Sequence, residues 1–560
     1  MTESGAELLV NCLIAQGVRT CFGVPGESYL AVLDALRDSP VEFVLCRQEG
    51  GAAFMAEAWG KLTGEVGIAF VTRGPGATNA SIGVHTAMQD SSPMILFVGQ
   101  IETGMREREA FQEVDYRAFF KPIAKWATEI ESADRIPEVV ARAFHTALAG
   151  RPGPVVVALP EDVLGADADA KPYAQRIAPA WPGVHPEQVA KTAELIAASE
   201  RPVALVGGGG WDGAGRGGRS ALAVFTRFCE RTNIPLVATF RRHDLVDNLS
   251  PAFVGDAGFG MSPHVRRVLD ESDLVLALNI RFGETTTDGY TLFEPPEMRK
   301  RLIQVHPSDD ELGKIYQTDL GVHGSPASFA AMLARETLTR SASRAEWMQS
   351  GRAAFLKTLE LPPQPGRLDM GRVMAHLRET LPGDAIVTNG AGNFASWPGR
   401  HFLYGPGHRL VAAQAGAMGA GLAAAIAARL AEPDRLVLCF CGDGDLQMTM
   451  QELGTAMQAR AMPIVLVLNN GTYGTIRMHQ ERAFPGRVSG TDLENPDFVA
   501  IGRAYGMQAE RVETAEAFEG AFARARVSNS GALLELMIDK EALTPAKTLS
   551  QIRAAALAAT

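Results

Sequence analysis

Short runs rich in Val, Ile and Leu, bounded by Gly or Pro, punctuate the chain at residues 66–71, 94–98, 155–159, 203–206, 274–278, 436–440 and 464–468. Helical patterns separate them. Runs that stay apolar, instead of alternating with polar residues, suit strands of a parallel sheet covered by helices on both faces. The expected class is α/β. Two Pro- and Ala-rich stretches, 166–188 and 361–367, interrupt the pattern and read as surface linkers. They divide the chain into units near 1–165, 185–345 and 365–545, with a tail at 546–560. Residues 411–427, rich in Ala and Gly, read as a buried helix, since a membrane span needs about 20 mostly apolar residues.

The first and third units echo one another. Gly74-Pro75-Gly76, then Thr86-Ala87-Met88-Gln89, then a strand opening at Pro93 is repeated as Gly442-Asp443-Gly444, Thr455-Ala456-Met457-Gln458 and a strand opening at Pro463. Glycine turn, helix, proline and strand recur in one order, which favours internal duplication over chance. Two related domains suggest a site lying between them.

Composition narrows the partners. Among 560 residues, 53 Lys and Arg stand against 64 Asp and Glu, a net charge of −11. A general binder of nucleic acid or anionic membranes needs a basic footprint, so neither is expected. Six scattered cysteines fit no disulfide framework or zinc spacing. The N-terminus lacks the basic and apolar regions of a secretory leader, and a cytoplasmic location is expected.

The strongest chemical signal lies in the third unit. The strand at 436–440 ends in Gly442-Asp443-Gly444, a helix is predicted to about Arg460, and the strand at 464–468 ends in Asn469-Asn470. Both motifs then emerge at carboxyl ends of neighbouring parallel strands, where α/β folds bind ligands. The glycines admit an anion close to the backbone, and the following helix can hold phosphate on its N–H groups. A hard cation such as Mg²⁺ takes oxygen ligands. Asp443 offers a carboxylate, Asn470 an amide oxygen and Thr472 a backbone carbonyl. Either motif alone would pass for a turn or a cap; together, each closing a strand, they read as a metal–diphosphate site.

With these residues in view, the chain resembles the thiamine-diphosphate enzymes, and more narrowly the acetohydroxyacid synthase, pyruvate oxidase and 2-oxo-acid decarboxylase superfamily. The resemblance spans nearly the whole chain. FGVPGESYLAVLDAL (22–36), Arg47-Gln48-Glu49-Gly50-Gly51, Thr72-Arg73-Gly74-Pro75-Gly76-Ala77-Thr78-Asn79, Gly99-Gln100 and Phe111-Gln112-Glu113-Val114-Asp115 resemble its N-terminal pyrimidine-binding domain. The fold it implies is three doubly wound parallel-sheet domains: pyrimidine-binding, central and diphosphate-binding. It puts the activating glutamate at Glu49, a polar residue near the reacting carbon at Gln100, and the bulky support beneath the cofactor at Met418, with the Gly416 carbonyl facing the 4′-amino group. Gly390-Ala391-Gly392-Asn393 resembles the loop over the diphosphate. Further cofactor contacts are implied at Gly26, Thr72, Asn79, Gly442, Gly444, Asp445, Tyr473 and Gly474, and substrate contacts at Gly26, Glu27, Gln112, Arg477 and His479. Glu49 and the metal motif lie on different domains, so the resemblance implies a homodimer at least, with a homotetramer usual.

Departures bear on the substrate. His479 stands where biosynthetic acetohydroxyacid synthases carry tryptophan, Arg477 where pyruvate decarboxylases carry glutamate, and Asp445 where a small residue is usual. Arg477 and His479 could bind an anionic substrate group or simply face solvent. In the central unit, Gly208, Gly210 and Gly213 fit a dinucleotide-type G-x-G-x-x-G with no convincing acidic residue at the ribose distance, so FAD is left open. The expected reaction is thiamine-diphosphate- and Mg²⁺-dependent decarboxylation of a 2-oxo acid, with ligation to an aldehyde or second 2-oxo acid. The alternatives are a non-ligating decarboxylase or C–C lyase, and a non-catalytic nucleotide-binding relative.

Overall fold

A computed structural model describes residues 3–212, 218–338 and 341–559. Three six-stranded, wholly parallel sheets, each flanked by helices, carry the architecture. The first contains β1 (Thr20–Gly23), β2 (Glu42–Leu45), β3 (Gly67–Val71), β4 (Met94–Gln100), β5 (Trp126–Glu129) and β6 (Pro154–Pro160) in the order β2-β1-β3-β4-β6-β5. The second contains β7 (Pro202–Val206), β8 (Leu236–Thr239), β9 (Phe253–Ala257), β10 (Leu274–Leu278), β11 (Arg301–His306) and β12 (Leu320–His323), ordered β9-β8-β7-β10-β11-β12. The third contains β13 (Ile386–Asn389), β14 (Arg409–Ala412), β15 (Val437–Gly442), β16 (Ile464–Asn469), β17 (Gln508–Val512) and β18 (Ala532–Met537), ordered β14-β13-β15-β16-β18-β17. The first and third sheets thus share one strand order, and the middle sheet has another. The repeated glycine-turn and proline pattern reflects that shared topology.

The strand-forming runs behave as their composition dictates. Every residue of β4, β6, β15 and β16 is buried, as strands covered on both faces must be. The opening helix Gly5–Ala15 begins at Ser4, whose hydroxyl accepts the Glu7 N–H while the Glu7 carboxylate accepts that of Ser4, a reciprocal cap. One shared apolar core joins the Ala-rich helices Glu49–Thr63 of the first domain and Ala420–Ala431 of the third. Small side chains there let the two backbones approach.

Three expectations are corrected. Residues 411–427 are not one helix: β14 runs to Ala412, a turn follows with Gly416 and Gly419 at φ +65° and +82°, and the helix starts at Ala420. Left-handed glycines stop helical propagation at both points. The helix after Gly442-Asp443-Gly444 is broken into Asp443–Leu446, a 3₁₀ turn Met450–Glu452 and Leu453–Gln458. Thr449 sits at the break, its hydroxyl donating to the Gly419 carbonyl at 2.7 Å. The residues beyond 545 are also more than a tail, because helix Leu549–Ala559 packs its Leu549 and Ile552 on Met478 and Leu543. Gly213, the last glycine of the dinucleotide-type pattern, lies outside the described residues. Among the described residues, no helix is long and apolar enough to cross a membrane.

Candidate active site

Parallel register sets the geometry of the third domain's site. Gly442 of β15 pairs with Leu468 of β16, so the Gly442-Asp443-Gly444 turn and the Asn469-Asn470 pair leave the sheet side by side. Above them opens a cavity of about 240 Å³, lined by Ala391, Gly392, Asn393, Gly416, Met418, Gly442, Asp443, Gly444, Asp445, Asn470, Thr472, Tyr473 and Gly474. Nearly every residue expected at the diphosphate end therefore meets in one place. Gly390 lies just behind, against Asp445. Sequence reasoning missed the apolar wall of Phe394, Trp397, Ile476, Ile538, Ala542 and Leu543, for which no motif stands in the sequence.

Asp443 is almost dry, at 3% exposure. Its Oδ1 accepts the Gly444 N–H at 3.0 Å, and its Oδ2 accepts those of Gly471 at 2.8 Å and the Asn495 amide at 2.7 Å. Burial raises its pKa above the ordinary aspartate value, while those hydrogen bonds pull it back. Asn495, which arrives from a distant loop, was not foreseen. Asn470 lines the cavity, its amide oxygen accepting, among the described residues, only the Thr472 N–H at 3.2 Å. A carboxylate, an amide oxygen and a backbone carbonyl make an all-oxygen set of the kind a hard cation takes. Among the described residues, no cluster of three His, Cys, Asp or Glu side chains competes with it.

Asp445 behaves differently. Its Oδ1 accepts the N–H groups of Ala391 and Gly419, both at 2.9 Å; among the described residues its buried Oδ2 accepts no N–H or O–H, and the Cys441 thiol lies against the carboxyl. Burial pushes this carboxyl up to about 6 against those hydrogen bonds.

The first domain gathers a second cluster. Glu49 opens helix Glu49–Thr63, whose cap is the Gln48 side chain accepting the Gly51 N–H at 3.1 Å. The Asn79 amide donates to Glu49 Oε2 at 3.0 Å. Gly76 packs between Thr72 and Glu49 Oε1, and Gly26 lies so close to Thr72 that an added Cβ would fall 2.4 Å from the threonine Cβ. Gly74 abuts Gln112 in the same way. Buried Gln100 donates to the Val114 carbonyl at 3.0 Å, tying the end of β4 to the loop that carries Gln112. Exposed Glu27 pairs with Arg73 at 2.7 Å, and Arg73 also pairs with Glu161. None of these residues lines the Asp443 cavity.

Arg477 and His479 lie on helix Gly474–Ala483, outside the cavity lining. Arg477 pairs with buried Glu481 at 2.8 Å, and Glu481 also takes Arg553 of the last helix at 2.6 Å. His479 is exposed. In the middle domain, a smaller cavity of about 160 Å³ sits at the carboxyl ends of β7 and β10–β12, between Gly209, Gly210, Trp211, Asn279, Pro307 and Ser325. Asp212, the acid beside that glycine run, is taken by Arg219 at 2.8 Å and Arg409 at 3.0 Å.

Comparison with known proteins agrees with this geometry domain by domain. Residues 3–119 match the family model described as "Thiamine pyrophosphate enzyme, N-terminal TPP binding domain", residues 189–333 its central domain, and residues 390–536 its C-terminal TPP binding domain. The acetolactate synthase isozyme 2 large subunit of Escherichia coli is 30% identical over 540 residues, 96% of either chain. A probable acetolactate synthase large subunit of Methanocaldococcus jannaschii is 32% identical, covering 97% of this chain and 93% of its own. The acetolactate synthase large subunit of Parasynechococcus marenigrum is also 32% identical, covering 96% and 88%.

Proposed function

The chain belongs to the thiamine pyrophosphate enzyme family, and on that premise we propose that it decarboxylates a 2-oxo acid and joins the remaining acyl unit to an aldehyde or a second 2-oxo acid. The observation that carries this reading is the cavity over Asp443, Asn470 and Thr472, floored by Met418 and walled by Ala391, Gly392 and Asn393. Thiamine diphosphate, when bound, supplies the nucleophilic carbon and the electron sink that decarboxylation needs. The chain supplies everything else. Asp443, Asn470 and the Thr472 carbonyl would hold Mg²⁺, and the 390–393 loop with Gly442, Gly444, Tyr473 and Gly474 would hold the diphosphate. Met418 and Gly416 line the same cavity, where Met418 would support the bound cofactor and the Gly416 carbonyl would accept from its amino group. Glu49 offers Oε1 for proton exchange, since Oε2 is already engaged by Asn79. Gln100, Gln112, Glu27 and Gly26 stand near the reacting end, with Arg477 and His479 on the helix beyond the cavity.

Glu49 and the Asp443 cavity belong to separate lining sets, which supports a site completed by a second copy of the chain: a homodimer at least, and a homotetramer by family habit. In that assembly residues 1–165 serve the pyrimidine end, 365–545 the diphosphate end, and 185–345 the middle. A cytoplasmic enzyme acting on small 2-oxo acids suits this reading. The proposed reaction does not depend on FAD; in the middle domain, Asp212 beside the glycine run is paired with Arg219 and Arg409.

The test incubates purified protein with thiamine diphosphate, Mg²⁺ and a panel of 2-oxo acids, with and without acceptor aldehydes, following CO₂ and mass-identified products. Coupled hydroxyketone or acetohydroxy acid is the expected result. CO₂ with aldehyde alone would reassign the protein as a simple decarboxylase, and no turnover despite cofactor binding would refute 2-oxo-acid chemistry.

A further inference from the structure

Asp445 follows the Gly442-Asp443-Gly444 turn directly, and its size has a steric counterpart. A Cβ added at Gly390 would lie 2.1 Å from Asp445 Oδ1 and 2.2 Å from Oδ2. No side chain at 390 tolerates that contact, so glycine there makes room for aspartate at 445. The aspartate is 2% exposed and lines the cavity. Through Oδ1 it joins the Ala391 N–H to the Gly419 N–H, fastening the 390–393 loop to the turn before helix Ala420–Ala431. Among the described residues its buried Oδ2 accepts no N–H or O–H, and the Cys441 thiol lies against the carboxyl.

The opposing charge comes from another domain. Arg241, in the turn after β8, is 6% exposed. It donates from Nη2 to the Gly390 carbonyl at 2.8 Å and from Nη1 to that of Ala413. Its guanidinium therefore holds the same loop that Asp445 holds, and it is attracted by the charges of Asp90 and, less strongly, Asp445. An anion entering this cavity meets a carboxyl group in its lining whose repulsion Arg241 partly cancels.

We propose that Asp445 is a positioning residue that limits how tightly this chain holds the diphosphate of thiamine diphosphate, its Oδ1 fastening the surrounding loops while its charge, offset by Arg241, opposes the bound anion. The proposal rests on the cofactor reading above. It separates two contributions that ordinary loss-of-function would merge. Asn at 445 keeps the oxygen that accepts two N–H groups, removes the charge, and places a donor in the cavity lining where Oδ2 stood. Ala removes clamp and charge together.

The experiment measures Mg²⁺-dependent thiamine diphosphate binding to the full chain by isothermal titration calorimetry, with a thermal melt of each cofactor-free variant. Asp445→Asn is expected to bind about fivefold more tightly than wild type and Asp445→Ala about tenfold more weakly. Arg241→Gln should weaken binding about tenfold, and adding Asp445→Asn should restore it. A purely structural Asp445 would not give a tighter variant. Asp445→Asn binding no better than wild type overturns the proposal, as does an Arg241→Gln defect that Asp445→Asn fails to relieve. Should Arg241→Gln not fold, Gly390→Ala takes its place: it should lose cofactor alone and regain it with Asp445→Ser, and absence of that rescue overturns the steric pairing. Wild-type protein that binds no thiamine diphosphate would instead refute the cofactor reading itself.

Discussion

Replacing Glu49 with Gln changes one atom at the first residue of helix Glu49–Thr63. The structure fixes what that change does to folding. The carboxylate makes one protein hydrogen bond, from the Asn79 amide at 3.0 Å, which a Gln carbonyl can still accept. The lost charge at a helix N-terminus is worth about 0.3–1 kcal/mol. For domains of this size that amounts to a melting shift of a few degrees, about 2–4 °C per kcal/mol. Catalysis responds on another scale. A positioned acid–base group contributes about 10²–10⁴-fold, which is about 3–5 kcal/mol of barrier. Thiamine diphosphate binding should stay within about threefold, because the diphosphate and metal contacts lie on the third domain. Three measurements on one variant therefore separate: a nearly unchanged melt, nearly unchanged calorimetric binding, and CO₂ release falling by about two to four decades. Turnover within tenfold of wild type, at saturating cofactor, would remove Glu49 from the chemistry. Loss of binding equal to the loss of rate would make it a structural residue.

Asp443→Asn keeps the shape of the turn but removes the one formal charge among the three proposed protein ligands, so the Mg²⁺ concentration needed for half-maximal cofactor binding should rise at least about tenfold in a metal titration. Lys61→Met leaves Asp90, wholly buried and 2.6 Å from the lysine ammonium, without its counter-ion. Such breaks cost about 3–5 kcal/mol, so the denaturant midpoint should fall sharply, and Lys61→Met/Asp90→Asn should recover much of it. Beside them, burial, with Asp90's charge adding to it, pushes Glu57 from about 4.5 up to about 8. The folded chain then holds a proton that the unfolded chain has released, so this contribution to stability is full below about 4.5 and is lost as pH rises through about 8. Glu57→Gln should flatten the fall in stability between those values, measured by chemical denaturation across pH; an unchanged slope would refute the assignment.

What the sequence disclosed and what it hid follow from how far each interaction reaches along the chain. Asp443 and Asn470 were legible because both close strands, and parallel pairing puts strand ends side by side whatever the loops do. Met418 and the 390–393 loop were legible through family resemblance alone, since an Ala- and Gly-rich segment has no periodicity that distinguishes support from core. Asn495 and Arg241 were not legible. They reach Asp443 Oδ2 and the Gly390 carbonyl from elements remote in sequence, and no local spacing encodes such a meeting. The unbroken helix expected after Asp443 failed for the same reason, since the Thr449 hydroxyl bonds the Gly419 carbonyl, a partner thirty residues away. Reading 411–427 as one helix failed locally, because two left-handed glycines outweighed the alanines around them.

The last fifteen residues were read as an appendage, and the structure gives them work at the site. Leu543 lines the cavity and also packs with Met478, Leu549 and Ile552. Leu549 and Ile552 are 6% and 5% exposed, and burying two such side chains is worth about 3–6 kcal/mol. Arg553 adds two contacts to Glu481, at 2.8 and 2.6 Å, on a carboxylate that also holds Arg477. Removing residues 546–560 would uncover Met478, leave Glu481 to Arg477 and the Gly486 N–H, and loosen the Leu543 wall. The expected outcome is faster release of thiamine diphosphate in a chase with excess chelator, together with a lower kcat/KM, while isolated losses in the first two domains stay absent by hydrogen exchange. Exchange rates and cofactor release matching wild type would show that the Leu543 wall stands without the helix. Because helix Gly474–Ala483 begins at the cavity's edge and carries Arg477 and His479, the same truncation also tests whether substrate selection reaches that helix: a changed preference among 2-oxo acids, beyond a uniform loss, would place it there.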